Sequence, residues 1–334
     1  VDEGASFNKL ADTKESVKSF IPFGGKVYCL GGGLYCCTNE RAFEVEGYVP
    51  TVATSCSMGG KGTALEPPNM LNPKRRVLYN GDGINVTLSM PEKNIASVDR
   101  LYLNGKPLDP ELYLVEGNSG IIEFDTPPED GLNNIEIYYS IKNNDSAKEI
   151  ISGFRYAVAF ENRLFLYGNP EYPDRVYHSE MADGIPSCEY FSELGYHAFD
   201  KDITSLIPCY NRLLVFSEDS ACFMFAELKT DSLGNTYTSF PVYELHSSKG
   251  NIALGLGCSV ENTPITICRD GLNRWVSTAI ADERSAKVFS ERAFKFMAGI
   301  DKSYTNTLLF NRKASSELWL CTSNGTLIYN YALD

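Results

Sequence analysis

The chain has 334 residues, 43% apolar and 22% charged, with a formal net charge of −13. That length can supply cores for two domains, and the acidic surface repels phosphate backbones, which disfavours sequence-specific nucleic-acid binding. No apolar stretch approaches the ~20 residues of a membrane span, so no span is expected. The 20 Tyr and 18 Phe sit mostly in short alternating runs with Val, Ile and Thr, while 27 Gly and 16 Pro punctuate them. This is the composition of many short strands joined by turns.

The first such run is Gly25 to Leu30, followed by Gly31-Gly32-Gly33 and then Leu34 to Cys37. A phosphate-binding glycine loop opens onto a helix carrying Lys-Ser/Thr. Here the chain continues as a strand, so the glycines read as a hairpin turn. Adjacent Cys36 and Cys37 point to opposite faces of that strand with no cation beside them, which reads as packing rather than a redox pair.

The block 68–150 reads as a small β-sandwich inserted into a larger unit formed by 1–67 and 151–334. Its expected strands lie near Val86–Leu88, Val98–Leu103, Leu112–Val115, Gly120–Phe124 and Asn134–Tyr139, with Asn104-Gly105 as a hairpin turn. Pro67-Pro68-Asn69 and Asn143-Asn144-Asp145-Ser146 mark its borders. The dense basic cluster Lys74-Arg75-Arg76 reads as a solvated linker edge.

Beyond the block, a strand–turn–strand unit returns several times. It recurs at Asn162–Tyr167 with Arg175–His178, and at Asn211–Phe216 with Ala221–Phe225. It recurs again at Thr263–Cys268 before Arg269-Asp270-Gly271, and at Glu317–Cys321 with Leu327–Tyr329. With Arg163, Arg212, Pro264 and Glu317 as markers, the spacings are 49, 52 and 53 residues. The gap from Lys26 to Arg163 is 137, and removing the 83-residue block leaves 54. Four short strands with turns fill about 40–50 residues, the size of a propeller blade. The expected fold is therefore all-β: a β-propeller of about five blades, or a truncated larger ring, with an inserted small β-sandwich domain. One helix is expected near Asp282 to Met297, where Phe289, Ala293, Phe296 and Met297 share a face.

Chemistry-bearing patterns are sparse. There is no Cys-x-x-Cys, and His178, His197 and His246 are not spaced as a metal site, so no metal or cofactor is expected. The ten cysteines lie largely in apolar runs and read as reduced thiols. A glycosidase on a propeller needs two carboxylates facing across a pocket. The candidates are Glu161, Asp200, Asp202, Glu218 and Asp270, which also suit local turn hydrogen bonding. No nucleophile signature accompanies the histidines, and no catalytic residue is assigned. Tyr172, Tyr177, Tyr190, Phe191 and Tyr196 form a candidate interaction surface for a sugar or another protein.

Residues 162–191 read NRLFLYGNPEYPDRVYHSEMADGIPSCEYF. The Gly168-Asn169-Pro170 step, the Pro173-Asp174-Arg175-Val176-Tyr177 strand and the acidic loop ending in Tyr190-Phe191 resemble structural tail proteins of tailed bacteriophages and of prophages in Gram-positive bacteria. Residues 211–220, 282–286 and 290–292 are similar to later parts of that family, and 104–128 is similar to small β-domains of tail components. The sequence departs from the family at Ile185 to Glu189, where a Pro-Thr-Tyr-Phe-like run is more usual. The resemblance implies a non-catalytic architectural part of the virion tail, made in the bacterial host cytoplasm. It also implies partners among other tail proteins in a homo- or hetero-oligomeric assembly, where symmetry makes weak contacts add. The alternative left open by the residues is a carbohydrate-binding or glycoside-active propeller.

Overall fold

Two-residue turns with both residues at positive φ match the twist of flanking strands, and three of them open the first hairpin of a four-stranded sheet in this chain. They are Gly24-Gly25 (φ 55° and 75°), Glu161-Asn162 (47° and 57°) and Glu261-Asn262 (49° and 60°). A fourth hairpin turns at Tyr210-Asn211, between Cys209 and Arg212. The computed structural model describes residues 9–13, 19–142, 145–230, 236–277, 284–300, 304 and 306–333, and the chain is all-β.

Five antiparallel meanders follow in chain order. Sheet I is Ser19–Phe23, Lys26–Leu30, Leu34–Cys37 and Ala42–Glu44. Sheet II is Tyr156–Phe160, Arg163–Tyr167, Arg175–His178 and Tyr196–Ala198. Sheet III is Ser205–Cys209, Arg212–Phe216, Ala221–Met224 and Val242–His246, and sheet IV is Gly257–Val260, Thr263–Cys268, Gly271–Ser277 and Arg284–Val288. Sheet V has three strands, Leu308–Arg312, Glu317–Thr322 and Gly325–Asn330. The second strand of each sheet starts at or next to a marker residue of the sequence period.

Those second strands explain why the sheets stand in a row. In Arg212–Phe216, Leu213 and Val215 join the core shared with sheet II, while Leu214 and Phe216 join the core shared with sheet IV. Likewise Leu164 and Leu166 face sheet I, and Phe165 and Tyr167 face sheet III. A strand buried on both faces reads as a continuous apolar run, and each such side chain contributes roughly 1.5–3 kcal/mol on burial. First strands also touch. Ser19 Oγ donates to Arg155 O (3.1 Å), Gly255 N to Thr204 O (2.8 Å) and Asn311 Nδ2 to Ser259 O (3.0 Å).

Between sheets I and II the chain builds a separate two-layer module. A six-stranded sheet runs in the order Lys106–Pro107, Ile95–Leu103, Gly131–Ile141, Lys74–Gly81, Thr51–Cys56 and Thr63–Ala64. A three-stranded sheet of Tyr113–Glu116, Ile121–Phe124 and Thr87–Ser89 covers it. Val77, Tyr79, Leu88, Ile122, Phe124, Ile135 and Tyr139 share the core between them. Asn104-Gly105 makes a hairpin turn, with φ 53° and 74°, but it returns Ile95–Leu103 onto the short strand Lys106–Pro107 rather than onto Tyr113–Glu116, which lies in the three-stranded sheet.

The structure corrects the sequence reading in three places. The module's sheet takes in Thr51–Cys56, which pairs in parallel with Lys74–Gly81, so the expected border at 68 falls inside it. The cluster Lys74-Arg75-Arg76 begins a sheet strand rather than a linker edge. Arg75 is 4% exposed and lies 3.1 Å from Glu92, which also accepts from Tyr139 Oη, and Arg76 pairs with Glu136 at 2.6 Å. The expected helix reduces to Phe294–Ala298. Arg284–Val288 is the fourth strand of sheet IV, because the edge of Gly271–Ser277 is satisfied by pairing there. Asp282 and Glu283 lie outside the described residues. A helix absent from the expectation, Asp145–Ser152, leads out of the module and buries Ile151 against sheets I and II.

Candidate functional site

The five aromatics of the expected interaction surface separate into an outward and an inward set. On the outer edge of sheet II, Arg175 lies over Tyr172 (4.5 Å) and Tyr196 (5.3 Å), and Tyr196 stacks on Tyr177 at 5.1 Å. Tyr196 is 38% exposed and Tyr172 half-buried, whereas Tyr177 is buried as the base of the stack. The Tyr–Arg–Tyr edge offers flat faces and a delocalised cation suited to stacking contacts.

Tyr190 and Phe191 face inward, at 2% and 0% exposure. They leave the expected surface because the neck of the inserted module packs on them. The Tyr190 ring lies tilted against Tyr48 (5.2 Å) and its hydroxyl donates to Pro67 O (2.8 Å), and Phe191 O accepts from Met70 N (2.8 Å). Asn69, 1% exposed, stands at the centre of this joint. Its Nδ2 donates to Tyr48 O (2.8 Å) and Glu189 O (2.7 Å), and its Oδ1 accepts from Leu71 N and Phe191 N (3.1 Å each). All four hydrogen-bonding capacities of the amide are used. Asn72 Nδ2 adds a bond to Gly47 O, and Tyr48 N donates to Glu189 O (2.7 Å). Nothing local in the sequence singles out Asn69, whose partner Glu189 is 120 residues away.

Two of the candidate carboxylates do meet. Glu218, in the turn of sheet III, and Asp270, in the turn of sheet IV, line one cavity of about 800 Å³ with Ile252, Cys268, Arg269 and Tyr304. Each has its own cation. Arg269 lies 2.6 Å from Glu218 and Lys249 lies 2.7 Å from Asp270, while neighbouring Asp219 pairs with Lys201 at 2.6 Å. Burial pushes the Asp270 carboxyl up, but hydrogen bonds from Lys249 and Asn273 outweigh it and hold it below the usual carboxylate range. At neutral pH this group is an anion, and it is not disposed to donate a proton as a glycosidase general acid must. Glu161 occupies a left-handed turn position, and Asp200 and Asp202 are exposed away from the cavity lining.

A buried polar cluster lies behind sheet II. Arg163 Nη1 is 2.8 Å from Glu180 and donates to Ser179 O (3.2 Å). His178 packs among Phe165 (5.5 Å), Phe240 (5.2 Å) and His197 (5.9 Å). Burial, with help from the Arg163 charge, pulls His178 down to about 3, and burial lowers His197 as well, so both rings are neutral at ordinary pH. Among the described residues no group of three or more His, Cys, Asp or Glu side chains is placed to hold a metal, and no helix is long and apolar enough to cross a membrane. None of the ten cysteines is joined in a disulfide.

No family model and no curated protein matches the chain. Among solved structures it is similar to PorZ, a bacterial surface component of the type-IX secretion system of Porphyromonas gingivalis. That match has 14% identity over 97% of this chain and a TM-score of 0.34, and the chain spans about a third (34%) of the length of PorZ. It is also similar to BBS1N, solved in complex with ARL6DN (12% identity, 97% of this chain, 81% of that one, TM-score 0.31). A third is the extracellular domain of the BT4673 one-component system from B. thetaiotaomicron (13% identity, 97% and 40% coverage, TM-score 0.25). With each of these TM-scores below 0.5, the fold rests on the chain's own sheets.

Proposed function

We propose that this chain is a non-catalytic structural component of a bacteriophage or prophage tail, located in the virion and acting through contacts with other tail proteins. In this reading the five meanders are propeller blades, and the inserted module projects from them to meet a neighbour. The observation that carries the reading is the Asn69 joint. Within 162–191, which resembles tail proteins except at Ile185 to Glu189, Phe191 receives the neck of the module, and Glu189 beside it accepts from the same amide. A fully bonded buried amide fixes direction as well as position, as a part that works by shape requires. The acidic surface suits a component that DNA must pass without sticking.

The test is expression together with the flanking genes. The tagged chain is expected to co-sediment with an assembled tail, and replacing 74–141 by a short loop is expected to remove one of its neighbours from the pull-down. Recovery of the chain only as a lone monomer, with tails assembling normally without it, overturns the proposal. Binding to a polysaccharide panel that disappears in both E218Q and D270N would put the carbohydrate reading in its place.

A further inference from the structure

We propose that Cys29 and Cys37 are an oxidisable dithiol whose closure to a disulfide staples the second and third strands of sheet I. The triple-glycine turn sets a register in which Leu30 faces Leu34 and Cys29 faces Tyr35. Cys37 is then the diagonal neighbour of Cys29 on the same face, and the two Sγ atoms stand 3.0 Å apart. Bond formation needs an approach of about 1 Å to the ~2.05 Å of a disulfide. Gly31, Gly32 and Gly33, at φ 91°, 88° and 122°, join the two strands and give the hairpin room to adjust. Cys36 is excluded by direction, because it points into the core between sheets I and II with Tyr28 and Leu34.

The two thiols differ in access. Cys37 is half-buried, whereas Cys29 is 3% exposed and its burial pushes the thiol up to about 12. Cys37 is therefore the attacking group towards a small disulfide oxidant such as oxidised glutathione. Its thiolate breaks the glutathione S–S bond, forming a Cys37–glutathione mixed disulfide and releasing one glutathione thiolate. Cys29 then loses its proton to solvent, attacks the Cys37 sulfur and expels the second glutathione. Two protein thiols are oxidised by two electrons, and one oxidised glutathione is reduced to two thiols.

The experiment incubates the intact chain with oxidised glutathione near pH 8, blocks remaining thiols with N-ethylmaleimide under denaturing conditions, and maps chymotryptic peptides. Cleavage after Leu34 or Tyr35 separates the Cys29 peptide from that of Cys36 and Cys37. The expected result is a link between Cys29 and Cys37, two fewer blocked thiols out of ten, and a thermal midpoint raised until reductant is added. C29A and C29S are expected to stop at a stable glutathione adduct on Cys37, C37A to leave Cys29 unreacted, and C36A to cross-link as the parent does. Ten blocked thiols after oxidation, or a link through Cys36, overturns the proposal. So does cross-linking that survives in either Cys29 variant.

Discussion

The sheets are held to one another in one way and the inserted module is held to them in another. Between sheets III and IV the main contact is an apolar core, alongside the Gly255–Thr204 bond and the Arg269–Glu218 pair: Trp275, fully buried, packs on Phe216 at 5.1 Å among Ile207, Leu214 and Phe223. Between module and sheet II the contact is a knot of directed bonds around Asn69. Apolar faces tolerate small sliding and draw their strength from area, whereas buried hydrogen bonds are lost abruptly when geometry fails. The chain thus spends area on stacking alike units and direction on attaching an unlike one.

That contrast can be broken at either end. Trp275→Ala removes the largest buried side chain of the sheet III–IV contact and is expected to cost about 3–5 kcal/mol. Denaturant unfolding should show it as a loss of stability of the sheet row. Asn69→Ala leaves several buried groups unpaired, at about 1–3 kcal/mol for each that stays dry. Its signature should differ: protease nicking near 47–49 and 67–72 while the module core of Val77, Ile122 and Ile135 stays protected. Asn69→Asp should be worse than Ala, because an oxygen then faces the Tyr48 and Glu189 carbonyls.

Acid sharpens the comparison on the sheet II side. His178 is held at about 3 in the folded chain against an ordinary 6.5, and His197 is lowered too. As pH falls below about 6.5 the unfolded chain takes up these protons first, so stability is lost progressively towards pH 3 and is unaffected by them above neutrality. Glu180, pushed up by burial, works in the opposite direction. His178→Phe should make the acid limb shallower by up to about one proton in a stability-versus-pH series. The smallest effect is expected at Arg269→Ala. Its pairing with Glu218 is exposed on both sides (76% and 59%), and the unfolding midpoint should not move measurably at physiological salt.

Much of the sheet row was legible because its signals are local. Glu161-Asn162 and Glu261-Asn262 are turn dipeptides, and the runs after them, Leu164–Tyr167 and Pro264–Cys268, are mostly apolar because both faces are covered. The missed parts depend on distant partners. Burial of Arg75 requires Glu92, and the strand Thr51–Cys56 is defined by its parallel pairing with Lys74–Gly81. Phe289, Phe296 and Met297 have helical spacing, yet Arg284–Val288 is claimed by the edge of Gly271–Ser277. At the candidate sites, Tyr190 and Phe191 read as a surface until the neck of the module covers them. Glu218 and Asp270 share a cavity only because sheets III and IV stand side by side, and the nearness of Cys29 to Cys37 follows from register rather than spacing.

The stretch 73–141, the larger part of the module, begins and ends at neighbouring points. Ser140 pairs with Lys74, and Ile141 N donates to Pro73 O at 3.1 Å. A segment whose two ends already touch imposes no span on what surrounds it, so its length and outer loops are free to diverge while the turns and spacing of the five meanders stay unchanged. Related chains should therefore keep the repeat and the buried amide and vary most in the distal loops of 82–86 and 125–130.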